Sequence, residues 1–175
     1  MTQHPLEKFR FCPACGSSLW EINNQKSKRC GQCGFVYYAN ASAAVAALIQ
    51  NEDGDLLVCR RGKDPAKGTL DLPGGFVDID ETIENALCRE IKEELNLSIT
   101  DISYFQSIPN RYLYSDMTIH TLDFLFRCRV KDFQSLKAGD DVSEAFFKPL
   151  STISPHEFGL ESIKKGIIAF LKSIK

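Results

Sequence analysis

The chain has no apolar run approaching the roughly 20 residues that a membrane-crossing helix needs. Its opening stretch, "MTQHPLEKFRFCPACG", lacks the apolar centre of a secretory signal. A cytoplasmic location and no membrane partner are therefore expected. Excess charge is missing too: 21 Lys and Arg face 23 Asp and Glu, a net −2 over 175 residues, so no global field draws the protein to nucleic acid or lipid. There is no low-complexity tract, and nothing repeats beyond a pair of cysteine motifs. What the chain does have is 43% hydrophobic residues, enough for a real core in one ordinary domain with room for a small appendage.

Seven cysteines are an odd number, and without an export signal they do not suggest a disulfide scaffold. Four of them form two C-x2-C pairs, Cys12 with Cys15 and Cys30 with Cys33, separated by fourteen residues. Two thiolates three positions apart can grip one metal from a tight knuckle, and Gly16 and Gly34 permit the positive φ such knuckles require. Two knuckles complete a tetrahedral Zn²⁺ shell. A redox reading needs only one such pair and a strand-helix context, so structural zinc is preferred. "SSLWEI" and "KSKR" between the pairs suit a hairpin. Cys59, Cys88 and Cys128 sit singly among apolar residues and read as small buried hydrophobes. Residues 1–38 carry five basic against two acidic side chains, +3, leaving −5 for the rest. This weak bias is compatible with an RNA or phosphate contact, and equally with a few solvated lysines.

From Asn40 the texture changes. "ASAAVAALIQ" reads as a buried strand, "NEDGD" as a turn and "LLVCRR" as its antiparallel return. "ISYFQSI", "RYLY", "TIHTLDFLFRCRV" and "EAFFKPL" read as further strands. Leu160, Ile163, Ile167, Leu171 and Ile174 recur at helical spacing after Pro155, predicting a closing helix laid on a sheet.

The most informative stretch is the predicted helix from about Thr82 to Leu95. At roughly 100° per residue, with Ile83 at zero, Glu90 falls near −20° and Glu94 near +20°, in line with Ile83 and Leu87. Glu93 falls near −80° and Arg89 near −120°. A solvated face would put carboxylates opposite the apolar stripe and avoid like charges at i and i+4. Glu90, Glu93 and Glu94 also gather at the C-terminal end, where the helix dipole adds to the repulsion. A cation is expected there. Carboxylate oxygens suit Mg²⁺ or Mn²⁺, and the unencumbered backbone at Gly74 and Gly75 could approach the ion or a phosphate. Metal with phosphate implies phosphoryl chemistry.

These residues resemble the Nudix box, G-x5-E-x7-R-E-U-x-E-E-x-G-U with U aliphatic, through Gly75, Glu81, Arg89, Glu90, Ile91, Glu93, Glu94 and Leu97. Asn96 replaces the last glycine, and asparagine tolerates the left-handed cap required there. "LLVCRR", "LDLPGGFVD" and "DVSEAFFKPL" extend the likeness over most of residues 40–175. The resemblance implies an α/β Nudix fold, a mixed sheet between helices, over residues 39–175, with a zinc ribbon in residues 1–38. It implies hydrolysis of a nucleoside diphosphate linked to another group. By the same resemblance Glu90, Glu94 and the Gly74 carbonyl are Mg²⁺ ligands, and Glu93 is a further ligand or water-orienting base. Arg89 orients the carboxylates, and Glu81 ties loop to helix. A further acid from a later loop is open among Asp140, Asp141 and Glu144.

A zinc ribbon joined to this box resembles the NADH pyrophosphatases and related enzymes proposed to act on FAD or ADP-ribose. Their signature S-Q-P-W-P-F-P-x-S corresponds to "SIPNRYLYS" here, with Asn110 and Arg111 in place of Trp and Pro, and Tyr112 in place of Phe. Tyr112 or Tyr114 could stack on a base and Arg111 could meet a phosphate. The alternative is an aromatic strand with alternate residues in the core. The expected substrate is a small ADP-containing dinucleotide or ADP-sugar, with NAD-capped RNA sharing the same chemistry. The resemblance also suggests a homodimer. A Nudix-fold ligand sensor or RNA-binding regulator without turnover is the competing expectation.

Overall fold

The computed structural model describes residues 4–139 and 142–174, except for the Tyr112 side chain. Asp140, Asp141 and Tyr112's ring thus lie outside the described part. Among the described residues no helix is long and apolar enough to cross a membrane.

The first structured unit is a three-stranded antiparallel sheet of β1 (Trp20–Asn24), β2 (Ser27–Cys30) and β3 (Val36–Tyr38). Its small core joins Trp20 to Cys12 and Cys30. Gly16 and Gly34, at φ 73° and 77°, turn the chain back after each cysteine pair.

The larger unit holds β4 (Ser42–Ile49), β5 (Leu56–Arg61), β6 (Leu70–Asp71), α1 (Ile83–Leu95), β7 (Ile99–Tyr114), β8 (Met117–Val130), β9 (Val142–Lys148) and α2 (Glu161–Ser173). β4 runs parallel to β8, which pairs antiparallel with β7; β5 pairs antiparallel with β6 and β9. Alternating side chains divide the core into two faces. Val45, Ala47, Ile49, Leu57 and Cys59 pack with Leu87, Ile91 and Leu95 of α1, whereas Ala46, Leu48, Leu56 and Val58 pack with Ile163, Ile167 and Phe170 of α2. The architecture is the expected α/β sandwich, a mixed sheet layer between helices.

Four local expectations need correction. β5 is not the ladder partner of β4: among the described residues only the isolated Gln50–Leu56 bridge links the two segments, because β4 is claimed along its length by β8. "ISYFQSI" and "RYLY" are one strand, β7, continuous through Pro109. β7 is an edge strand, so the missing N–H of Pro109 costs no internal ladder bond. The closing helix begins at Glu161; Pro155 opens a separate short turn, and Phe170 fills the core while Ile174 is exposed. Cys88 lies exposed on α1, unlike buried Cys59 and Cys128.

β7 and β8 meet in a two-residue turn at Ser115 and Asp116, both with positive φ (48° and 57°), the geometry that matches strand twist. The turn fixes the register, and the register decides which side chains share a face. Asn110 stands opposite Thr121, and Arg111 opposite His120.

Candidate active site

The helix α1 starts at Thr82, whose hydroxyl accepts from Asn85 N at 3.2 Å, and ends at Asn96 in the left-handed conformation at φ 56°. The cap anticipated for Asn96 is present. Between these limits the helix buries Ala86, Leu87, Ile91, Leu95 and, among them, Glu94. Glu90 is largely covered and Glu93 half-exposed, so Glu90 and Glu94 face inward and Glu93 stands at the rim.

The segment Pro73–Val77 lies against β4 through three backbone bonds. Ala47 N donates to Pro73 O at 2.9 Å, Val45 N to Gly75 O at 2.8 Å, and Val77 N to Ala43 O at 3.0 Å. Gly74 adopts φ 143°, and a Cβ there would strike the Val45 carbonyl. A Cβ at Gly75 would press into the Glu90 carboxylate, 2.5 Å from Cδ. Close approach of rigid backbone therefore requires glycine at 74, while glycine at 75 leaves room for the Glu90 carboxylate. Gly74 N donates to Glu94 Oε2 at 2.9 Å, which fastens the loop to the helix.

Arg89 organises the remaining acids. Its Nε and Nη2 form a bidentate pair with Glu81 at 2.9 and 2.8 Å, Nη1 reaches Glu90 at 2.8 Å and Glu93 at 3.2 Å, and Nη2 also donates to the Phe76 carbonyl at 3.0 Å. The Arg89 bond, seconded by the Asp78 backbone N–H, holds the Glu81 carboxyl below its ordinary range. Arg89 itself is pushed up, chiefly by Glu81. One guanidinium thus carries loop and helix together, as its fork geometry allows.

Glu144 is not gathered here. It pairs with Arg60 at 2.9 Å, on the face of β9 shared with Phe146 and away from α1. Residues 137–139 reach the end of α1: Gly139 N donates to Glu94 O at 2.8 Å and Lys137 N to Leu95 O at 3.1 Å.

On the α2 side a cavity of about 550 Å³ opens against the same Gly74 and Gly75. Its volume lies within the roughly 300–1,000 Å³ typical of small-molecule sites. Tyr114 and Asn110 line it, as do Arg61, Asp71, Thr121 and Asp123. Arg61 ion-pairs with Asp71 at 2.5 Å. Burial still pushes the Asp71 carboxyl up, with nearby Asp123 adding and Arg61 opposing. Arg111 points elsewhere, into a groove of about 1300 Å³ shared with Lys26, Tyr37 and other ribbon residues. The strand alternation thus separates Arg111 from Tyr114. Sequence reasoning passed over Asp71, Thr121 and Asp123. The available signal was an acid at an inward position of "TLDFLF", where period-2 alternation with Leu125 demands an apolar residue.

The four paired cysteines converge. Cys12 and Cys33 Sγ lie 3.7 Å apart, as do Cys15 and Cys30, and all four sulfurs fall within 4.8 Å of one another. Tetrahedral Zn–S bonds of about 2.3 Å place sulfurs about 3.8 Å apart, so the set fits zinc.

The NUDIX domain description matches residues 41–170. The chain belongs to this family. Among curated relatives, an ADP-ribose pyrophosphatase of Methanocaldococcus jannaschii is 37% identical over 130 residues, 73% of each chain. NAD-capped RNA hydrolases NudC of Vibrio atlanticus and Vibrio vulnificus are 27% and 30% identical over 171 and 121 residues, or 95% and 69% of this chain. The chain spans only 63% and 46% of those two NudC proteins. A Nudix hydrolase of Nitrosomonas europaea superposes with TM-score 0.72 at 21% identity, covering 94% of this chain and 92% of that one. The NUDIX domain of Shewanella oneidensis NrtR, complexed with ADP ribose, gives 0.64 at 18% identity over 79% and 91%. At such identities the structural likeness speaks for the fold. The Nudix segment is thus the one that carries the glutamate helix and both glycines.

Proposed function

We propose that this Nudix protein is a divalent-cation-dependent pyrophosphohydrolase that cleaves the diphosphate of an ADP-containing dinucleotide or ADP-sugar, such as NADH, FAD or ADP-ribose. The observation that carries the reading is the inward pair Glu90 and Glu94, set against the Gly74–Gly75 backbone beside a ligand-sized cavity. Hard oxygen donors on one helix turn suit Mg²⁺ or Mn²⁺, with Glu90, Glu94 and the Gly74 carbonyl as its holders. When bound, the cation neutralises phosphate oxygens and lowers the pKa of a water.

The chain's own residues supply the rest. Arg89 holds Glu90 and Glu93 in place. Glu93, at the rim, orients the attacking water and takes its proton as the water oxygen bonds to phosphorus. One P–O bond of the anhydride breaks, and two phosphate monoesters leave. Tyr114 offers its ring to the base from the cavity wall, while the ribbon's four cysteines hold one structural Zn²⁺. Arg111, in the groove beside the ribbon, contacts the distal part of the substrate.

The test is incubation of the purified protein and Glu90→Gln with NADH, FAD, ADP-ribose, NAD-capped RNA and nucleoside triphosphates, with product identification. Release with Mg²⁺ or Mn²⁺, lost in the variant, is the expected result. No release, or equal release by the variant, sinks the catalytic reading. Salt-sensitive RNA binding without turnover would favour the regulator instead.

A further inference from the structure

Asn110 stands where the sequence departs from the NADH pyrophosphatase signature, and its surroundings give that departure a chemical meaning. Its side chain is 6% exposed, lines the 550 Å³ cavity, and makes no hydrogen bond among the described residues. Because Asn110 lines the cavity, a ligand seated there would displace the water its amide meets and take over its hydrogen bonding.

The neighbouring strand brings a second polar group to the same cavity. Thr121 stands opposite Asn110, and Asp123 follows two residues on, on the same face. Asp123 is 6% exposed and takes two hydroxyl donors: Thr121 Oγ1 to Oδ1 and Ser162 Oγ to Oδ2, each at 2.5 Å. Gripped from both sides, the carboxylate cannot swing, yet each oxygen keeps a lone pair for the cavity. A diagonal pair in an antiparallel ladder is separated by about 7–8 Å. That spacing can seat the edge of one planar ring between an acceptor and an amide.

We infer that Asn110 and Asp123 determine specificity for adenine, Asp123 accepting from its exocyclic amino group and Asn110 donating to the adjacent ring nitrogen. The inference rests on the ADP-containing substrate proposed above. Adenine offers a donor and an acceptor side by side on this edge. Hypoxanthine offers a carbonyl and an N–H, which sets oxygen against the Asp123 carboxylate. Asn110 can turn its amide to suit either base; the fixed Asp123 cannot.

Calorimetric titration of the full chain with AMP and with IMP, without divalent metal, tests this. Neither probe contains an anhydride, so binding is read independently of turnover. The wild type is expected to bind AMP at least about tenfold more tightly than IMP. Asn110→Ala should weaken AMP about tenfold with an unchanged melting temperature, because its side chain makes no bond that holds the fold. Asp123→Asn, which can donate to a carbonyl, should erase or invert the preference. If Asp123→Asn fails to fold, the Asn110 variant still decides. Equal binding of AMP and IMP by the wild type, no binding of AMP, or unchanged AMP affinity in Asn110→Ala overturns the inference. Preference for AMP without hydrolysis of any anhydride would sink the catalytic reading and leave this one standing. Equal hydrolysis of NAD and its hypoxanthine analogue would do the reverse.

Discussion

The backbone N–H of Gly74 donates to Glu94 Oε2 at 2.9 Å, across twenty residues of sequence, and this bond ties the loop to the buried end of the glutamate helix. Glu94 is only 7% exposed, so its carboxylate depends on such partners for its position. The two adjacent glycines should respond differently to substitution. Gly74→Ala forces a side chain into φ 143° and into the Val45 carbonyl, a rigid neighbour. About 1–3 kcal/mol of stability should go from the conformation alone, with more from the overlap. Gly75→Ala meets the end of the Glu90 side chain, which can swing aside. It should melt near the wild type and lose most metal-dependent activity. Thermal denaturation followed by circular dichroism, beside turnover of ADP-ribose, separates the two; equal melting losses would refute the distinction.

Arg89→Lys should be far from conservative. Lysine keeps the charge but cannot form the bidentate pair with Glu81 while reaching Glu90, Glu93 and the Phe76 carbonyl. About 2 kcal/mol of stability should be lost, in the range of a charge-assisted network at a half-buried site. kcat should fall by more than KM changes, since the lysine variant still carries a cation but no longer aligns the acids. Wild-type kcat in the variant would show that Arg89 does not position the glutamates.

Much of this site was legible in sequence because its cause is local. The azimuths of Glu90, Glu93 and Glu94 follow from helical geometry, and the burial order observed matches them. The cysteine knuckles are similarly short-range. The strand partners were not legible, because β4 pairs with β8 some eighty residues away and the intervening turn gives no hint of it. The pocket was hidden for the same reason. Asn110, Thr121 and Asp123 belong to two strands, and only the Ser115–Asp116 turn sets the register that joins them.

Acid should loosen the Glu81 tie. Because its folded-state pKa lies below the ordinary 4.5, Glu81 contributes stability above that value and loses it as pH falls through the folded pKa. Glu157 and Glu161 are lowered too, so the wild-type acid slope is shared among several groups. Urea midpoints measured from neutral pH downward should therefore fall for both proteins, less steeply in Glu81→Gln. Superimposable slopes would remove Glu81 from the account.

Glu144 provides a contrasting expectation. Its pairing with Arg60 turns it away from α1, and the pair is mostly exposed. Glu144→Gln should cost at most about 1 kcal/mol and leave turnover essentially unchanged. A hundredfold fall in kcat would place Glu144 in the chemistry after all and demand a rearranged β9.

The ribbon contains its own reporter. Trp20 is the single tryptophan of the chain, and it is buried with Cys12 and Cys30 in the ribbon's small core. So small a cluster supplies little apolar burial, and a bound metal would be what holds the four thiolates together. Metal analysis of protein prepared without chelators should find about one Zn²⁺ per chain. A strong chelator should shift Trp20 emission to the red as the indole meets water, and Cys12→Ser should start in that state. Both changes should leave most of the far-ultraviolet signal, which comes from the strands and helices of residues 42–173. Unshifted emission after complete zinc removal would show that the ribbon holds its fold by packing alone.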